Sequence, residues 1–288
     1  MSGPTITPVL LKPAPTAGPN PDWGNDRGFS GFVSDARLGL VLALALGLSL
    51  TAGEVLAAVS QEPGVLATVW KWLPLMTKGF LLNLLVSVLS MSIGTAAGLA
   101  LGLVQMSHFK PVGKTAGLLT QFFRNAPWLV LVFYTITLIP FELQVGGYIV
   151  PFPAWIKATV GLSLPVMANV SEIVRGGIQS IPLSQWESAE ALAFSRFQTM
   201  WFIILPQCLK RMLPPWMNLY AILTTASPLI SLVGVDDALT MTRAALQAEQ
   251  RIDLLLPMYL ALLIMFFVYC YPIAVWTVRL ERRYAVKA

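Results

Sequence analysis

The chain has 288 residues, 56% of them hydrophobic and only 11% charged, with a mean hydropathy of +0.70. An average soluble domain carries about 25% charged residues, so this chain cannot coat a globule with polar groups; it reads as an all-helical integral membrane protein with room for roughly six crossings. The net charge of +5 would suggest nucleic acid in a soluble protein, but in a membrane protein it reports which loops face the cytoplasm, and no nucleic-acid partner is expected.

Residues 1–36 are rich in proline and glycine without apolar periodicity, which predicts a flexible tail. They lack the basic stretch, apolar core and small-residue site of a cleaved signal peptide. An apolar run from Leu38 to Val59 predicts a first span, and the segment to residue 78, with Trp70 and Trp72, suits a headgroup zone. A main membrane domain is expected over 79–284. Its first span, Gly79 to Met106, carries Gly94, Gly98 and Gly102 at four-residue spacing, a stripe that lets another backbone approach closely. Further spans read at Pro127–Phe141, Ala154–Ile178, Pro214–Leu232 and Leu254–Val278, with Pro165 and Pro228 bending two of them. With the N-terminus placed in the cytoplasm, all lysines and arginines except Lys71, Lys78, Lys157, Arg243 and Arg251 fall inside, and both termini are cytoplasmic.

The polar stretch between the fourth and fifth spans is the most informative. Pro182 precedes Ser184-Gln-Trp-Glu187, which has the form of a helix-starting capping box, and Ser195-Arg-Phe-Gln198 repeats the device eleven residues on. A helical hairpin over 182–206 is predicted, turning near Ala193. Trp186, Ala189, Ala193 and Phe197 fall at helical spacing; that stripe either packs on the protein's own helix ends or fills a groove in a partner.

Other constellations carry less. Gly113-Lys114-Thr115 is no phosphate loop, because the position requiring the first glycine is His108. That residue is the only histidine, and Cys208 and Cys270 lack metal-ligand spacing, so neither a histidine triad nor a metal site is expected. Glu172 and Arg175 can pair on one helix face as a gating or structural pair. Asn169, Thr224, Thr225 and Ser227 could hydrogen-bond a solute or satisfy bent backbone.

The hairpin closely resembles the EAA loop of ABC importer permeases: Glu187-Ser188-Ala189 takes the EAA position and Ile204-Leu205-Pro206 the closing element. SEIVRGGIQSIP, FFRNAPWLVLVFY, SLVGV and CYPIAVWTVRLERR are similar to the polar amino acid branch of that family. The resemblance implies a type I importer permease with a five-helix core after one additional N-terminal transmembrane helix, set in a bacterial inner membrane. It also implies alternating access, coupled through Trp186, Glu187, Ser188, Ala189, Ala193 and Pro206 to a separate ATPase dimer that holds ATP and magnesium, this chain binding no cofactor. Glu187 retains a second reading as a plain helix cap.

Ala193 stands where the family usually has glycine; alanine resists positive φ, so the turn is expected to be more helical or differently angled. Leu219 and Ala226 replace family acidic groups and Thr225 a lysine. Loss of those carboxylates implies either a substrate that is not strongly cationic or a second permease, preferably a paralogue rather than a copy, that supplies the groups. An extracytoplasmic amino-acid-binding protein completes the implied assembly. The rival of another class is a secondary transporter driven by an ion gradient; paired half-repeats and membrane carboxylates would mark it, and the sequence shows no inverted repeat.

Overall fold

A computed structural model describes residues 64–284 apart from 108, 146 and 147, with isolated positions before 64. The chain divides into residues 1–49 and 50–288, and every helix below belongs to the second unit. The expected tail, nearly all of the expected first span, and His108 lie outside the described residues.

Helix α1 (Val65–Gln105) is 41 residues long, about 60 Å at 1.5 Å per residue, twice the hydrocarbon thickness of a bilayer. It runs unbroken through Gly79, so the domain boundary drawn there falls inside a helix. Two shorter helices follow, α2 (Lys110–Asn125) and α3 (Trp128–Leu138). They are separate because Pro127 drives the residue before it out of the helical region, and Ala126 is extended at φ −71°, ψ 137°. Among the described residues the strands form one small antiparallel hairpin, β1 (Glu142–Val145) and β2 (Tyr148–Pro151), with Glu142 opposite Pro151. Phe152 N–H closes it by donating to Phe141 O at 2.7 Å.

Helix α4 (Ala154–Gln179) is the centre of the fold and packs most extensively on α1. The glycine stripe explains why. A Cβ on Gly94, Gly98 or Gly102 would lie 2.5–2.8 Å from side-chain carbons of Val166, Val170 and Val174 respectively. Three glycines at four-residue spacing thus seat three fully buried valines at the same spacing. Polar bonds supplement the seam: Ser90 Oγ donates to Thr159 O at 2.9 Å, and Gln105 Nε2 donates to Thr120 on α2 at 2.9 Å and to Ser171 on α4.

Helix α5 (Leu183–Ala191) leads through a single turn at Arg196–Gln198 into a π-helical stretch, Thr199–Ile204, and then α6 (Leu205–Ala226). The wide turn precedes Pro206, which has no N–H to bond the carbonyl four residues back. Where a Pro228 kink was expected, α6 instead tightens into a 3-10 segment, Ser227–Val233, ending at Gly234 with φ 82°. Helices α7 (Ala238–Glu249) and α8 (Leu255–Tyr284) complete the chain.

Two apolar cores result. One surrounds α4 with residues of α1, α3 and α6; the other joins Met76 and Phe80 of α1 to Ala245 of α7 and Met258 of α8. Among the described residues three stretches are long and apolar enough to span a bilayer, 65–105, 196–233 and 255–283. Of the other three expected spans, that at 38–59 falls almost wholly outside the described residues, that at 127–141 contains α3 of only 11 residues, and that at 154–178 is α4, which carries Lys157, Glu172 and Arg175.

Candidate functional site

The chain direction of α4 defines two ends of the bundle. Its N-terminus lies beside the β-hairpin, and its C-terminus delivers the chain to α5. At the α5 end, Ser180 Oγ donates to Gly177 O at 2.7 Å, and Arg211 on α6 donates to Ser180 O. The loop entering α5 is therefore tied to α6 before the hairpin begins.

The capping box at Ser184 and Glu187 does not form. Helix α5 starts two residues earlier, with Pro182 at the cap and no side-chain cap bond, so Ser184 already lies inside the helix and cannot serve as its cap. Glu187 is thereby exposed and not used as a cap. The second box does form: Gln198 N–H donates to Ser195 Oγ at 3.3 Å, and Ser195 N–H donates to the Gln198 side chain at 2.8 Å. Between them Ala193 adopts φ 57°, the left-handed conformation that alanine was expected to resist. Ala193 N–H bonds to Glu190 O and Phe194 N–H to Ala189 O, a closure that fixes the positive φ.

The stripe of Trp186, Ala189, Ala193 and Phe197 is split by that turn. Ala189 is buried and Trp186 half-buried against the α4 core, whereas Ala193 and Phe197 are exposed. Ser188 and Glu190 are exposed beside Glu187, and Pro206 is exposed at the start of α6. A cavity of about 580 Å³ opens beside α5, lined among others by Leu183, Trp186, Glu190, Phe194 and Phe197. Arrangement and burial thus present acidic and hydroxyl groups outward on a short helix whose alanine anchors it.

A second cavity, about 500 Å³, lies between α4 and α6 toward the same end. Asn169, Glu172 and Leu219 line it with Arg124, Arg211 and Asn218. Arg175 grips Glu172 through two bonds, 3.3 and 2.7 Å, and Arg124 of α2 stands 3.5 Å from the same carboxylate. The pair read from spacing is a triad joining two helices. Asn169 Nδ2 donates to Pro165 O at 2.8 Å, so its amide nitrogen serves its own helix while the residue lines the cavity.

The remaining expected path residues do not join this cavity. Thr224 and Ser227 are buried and bond carbonyls of their own chain, Tyr220 O at 2.9 Å and Thr224 O at 2.8 Å. Thr225 is exposed and bonds Ile222 O at 2.8 Å; Ala226 is half-buried. Ser227 belongs instead to a buried knot that spacing did not reveal. Asn83 Nδ2 donates to Ser227 Oγ at 3.1 Å and to Asp237 Oδ2 at 3.2 Å, and its Oδ1 accepts from Ala238 N–H at 3.0 Å. The signal for it was one amide in the apolar run GFLLNLLVSVLS. Among the described residues no three His, Cys, Asp or Glu side chains gather to hold a metal ion.

These features, a helical membrane bundle with an exposed helical hairpin between α4 and α6, are those of a solute-conducting subunit of an ABC importer. Residues 94–286 match the family model described as binding-protein-dependent transport system inner membrane component, and the chain belongs to that family. It is similar to the probable amino-acid ABC transporter permease protein YckA of Bacillus subtilis, with 34% identity covering 74% of this chain and 90% of that one. The probable glutamine ABC transporter permease protein GlnP of the same organism is 26% identical over 80% of this chain and 99% of its own. Among solved structures, an amino acid ABC transporter aligns with a TM-score of 0.65 and 26% identity, covering 74% of this chain and 95% of that one. This chain is thus a membrane-embedded transport subunit, not an enzyme, and ATP hydrolysis falls to a separate ATPase.

Proposed function

We propose that this chain forms the translocation path of an amino acid importer and takes its motion from an ATPase through α5. Outward exposure of Glu187 and Ser188, with Ala189 anchored in the protein, is the observation that carries the reading. A short rigid helix presented this way can be gripped by a partner's cleft and can transmit displacement to α4 and α6, to which its two ends are tied. Trp186 packs its root, Ala193 sets the turn, and Pro206 marks where α6 departs. The N-terminus and the hairpin face the cytoplasm, where an ATPase dimer binds ATP and magnesium. A second permease, preferably a paralogue, and an extracytoplasmic amino-acid-binding protein complete the complex.

Nucleotide drives the cycle by binding one conformation more tightly than the other, since equal affinity would shift nothing. Asn169, Glu172 and Leu219 line the path near its cytoplasmic end, and Arg175 holds Glu172 as a gating pair. Thr224, Thr225, Ala226 and Ser227 shape the helix that bounds it. Purification from membranes tests the whole: an ATPase should co-purify, and reconstituted complex should hydrolyse ATP faster when an amino acid and its binding protein are present. Uptake by this chain alone under an ion gradient would replace the proposal with a secondary transporter.

A further inference from the structure

At the end of the bundle opposite α5 lies a cavity of about 580 Å³ between α1, the start of α4 and the turn leading into α7. Its charged lining residues are one cation, Lys78, and one anion, Asp236; its walls include Leu81, Leu82, Trp155 and Met241. The volume falls in the range of small-molecule sites, and apolar walls with few polar groups are their usual make-up.

The two charges are carried on backbone that is held rigidly. Gly79, next to Lys78, packs so closely on α7 that a Cβ there would lie 2.6 Å from Ala238 N. Asn83 then bonds Asp237 and Ala238, the residues following Asp236. Asp237 turns its own carboxylate inward, accepting from Thr240 N–H at 2.9 Å, which leaves Asp236 as the carboxylate at the cavity. Lys78 and Asp236 are not within ion-pair distance of each other among the described residues, since the four ion pairs found there involve other groups.

We infer that this cavity is a binding station for zwitterionic amino acids with apolar or neutral side chains, the carboxylate meeting Lys78, the ammonium meeting Asp236 and the side chain lying along Trp155 and the leucines. One fixed charge of each sign matches the two backbone charges of an α-amino acid. The apolar walls offer nothing to a third charge, so a cationic side chain is disfavoured. The inference rests on the proposed amino acid function and adds the substrate class and the place of first contact.

Photo-crosslinking of the purified complex, without its binding protein, tests it. Photo-leucine should label peptides containing Leu81–Leu85 or Pro153–Trp155; excess leucine should abolish that labelling, and arginine should compete at least ten-fold less well. Asp236→Asn and Lys78→Gln should each lower labelling about ten-fold in complexes that still assemble, and Asp236→Glu should recover most of it. Labelling elsewhere only, or equal labelling in the charge-removed variants, overturns the inference while leaving the amino acid reading intact. Failure of the wild-type complex to take up any amino acid, with its binding protein restored, overturns both.

Discussion

Ala193 sits at φ 57°, and for an L-residue with a Cβ that conformation costs roughly 1–2 kcal/mol. The hairpin keeps it because the bonds from Ala193 and Phe194 to Glu190 and Ala189 demand the turn. Ala193→Gly should therefore stabilise the folded hairpin by about 0.5–1 kcal/mol after the larger backbone entropy of glycine is counted, visible as slower amide exchange over 183–198. The residue type was legible in the sequence as an oddity, but whether the chain would bend or comply was decided by backbone bonds that spacing does not reveal. Glu187 taught the reverse lesson: its capping pattern was clear, yet the helix already begins at Leu183, ahead of Ser184, and leaves the carboxylate unused as a cap. At the opposite end, bonds from Lys71 and Trp72 hold the Glu249 carboxyl below its ordinary range, and the Arg251 guanidinium does the same for Asp253. Folded values below unfolded ones mean that both contributions are present above about pH 4 and are lost as pH falls through the lower folded values. Lys71 is largely exposed, so solvent screening keeps the Glu249 share below about 1 kcal/mol. Melting of the complex between pH 5 and pH 3 should become less pH-dependent in Glu249→Gln; an unchanged profile would deny the pair any role.

The seam between α1 and α4 was half visible beforehand. Glycines at four-residue spacing announced a close approach, but their partners Val166, Val170 and Val174 could be found only once α4 was placed against them. At Gly98 a Cβ would meet Met167 O and Val170 Cβ at 2.6 Å, and backbone cannot yield as a flexible side-chain end can. Gly98→Ala should cost about 1–3 kcal/mol by forcing the helices apart, measured as a lower melting temperature in detergent. Gly176 offers the control: a Cβ there meets nothing within 4 Å, so Gly176→Ala should be neutral or gain up to about 1 kcal/mol from helix propensity. The interrupted pair α2–α3 shows the opposite weakness of periodicity. Hydropathy picked out 127–141 as a span, whereas Pro127 separates an amphipathic helix from a short apolar one, and the triad of Arg124, Glu172 and Arg175 forms just before that break.

At the scale of the molecule, the proposed orientation, drawn from charge asymmetry between loops, puts the α5 end in the cytoplasm and the Lys78–Asp236 end outside. In a variant lacking Cys208 and Cys270, a cysteine at Ser188 should react with impermeant maleimide only in inside-out vesicles, and one at Asp236 only in right-side-out vesicles. The reverse pattern would invert the orientation. Fold class followed from composition and family motifs because a bilayer admits few solutions for an apolar chain. Cavity linings did not, since they depend on which face of each helix is turned inward. The interlocked glycines and valines also constrain how such a machine can work. Two helices meshed this tightly have no slack for sliding, so α1 and α4 must travel as one strut through every stroke, and rearrangement is left to the joints around it, the wide turn at 199–204 and the tight one at 227–233. Spin labels at Ser92 and Gln179 should accordingly keep a constant separation from the nucleotide-free to the ATP-bound complex, while either label moves relative to one at Leu213 on α6, between the two joints.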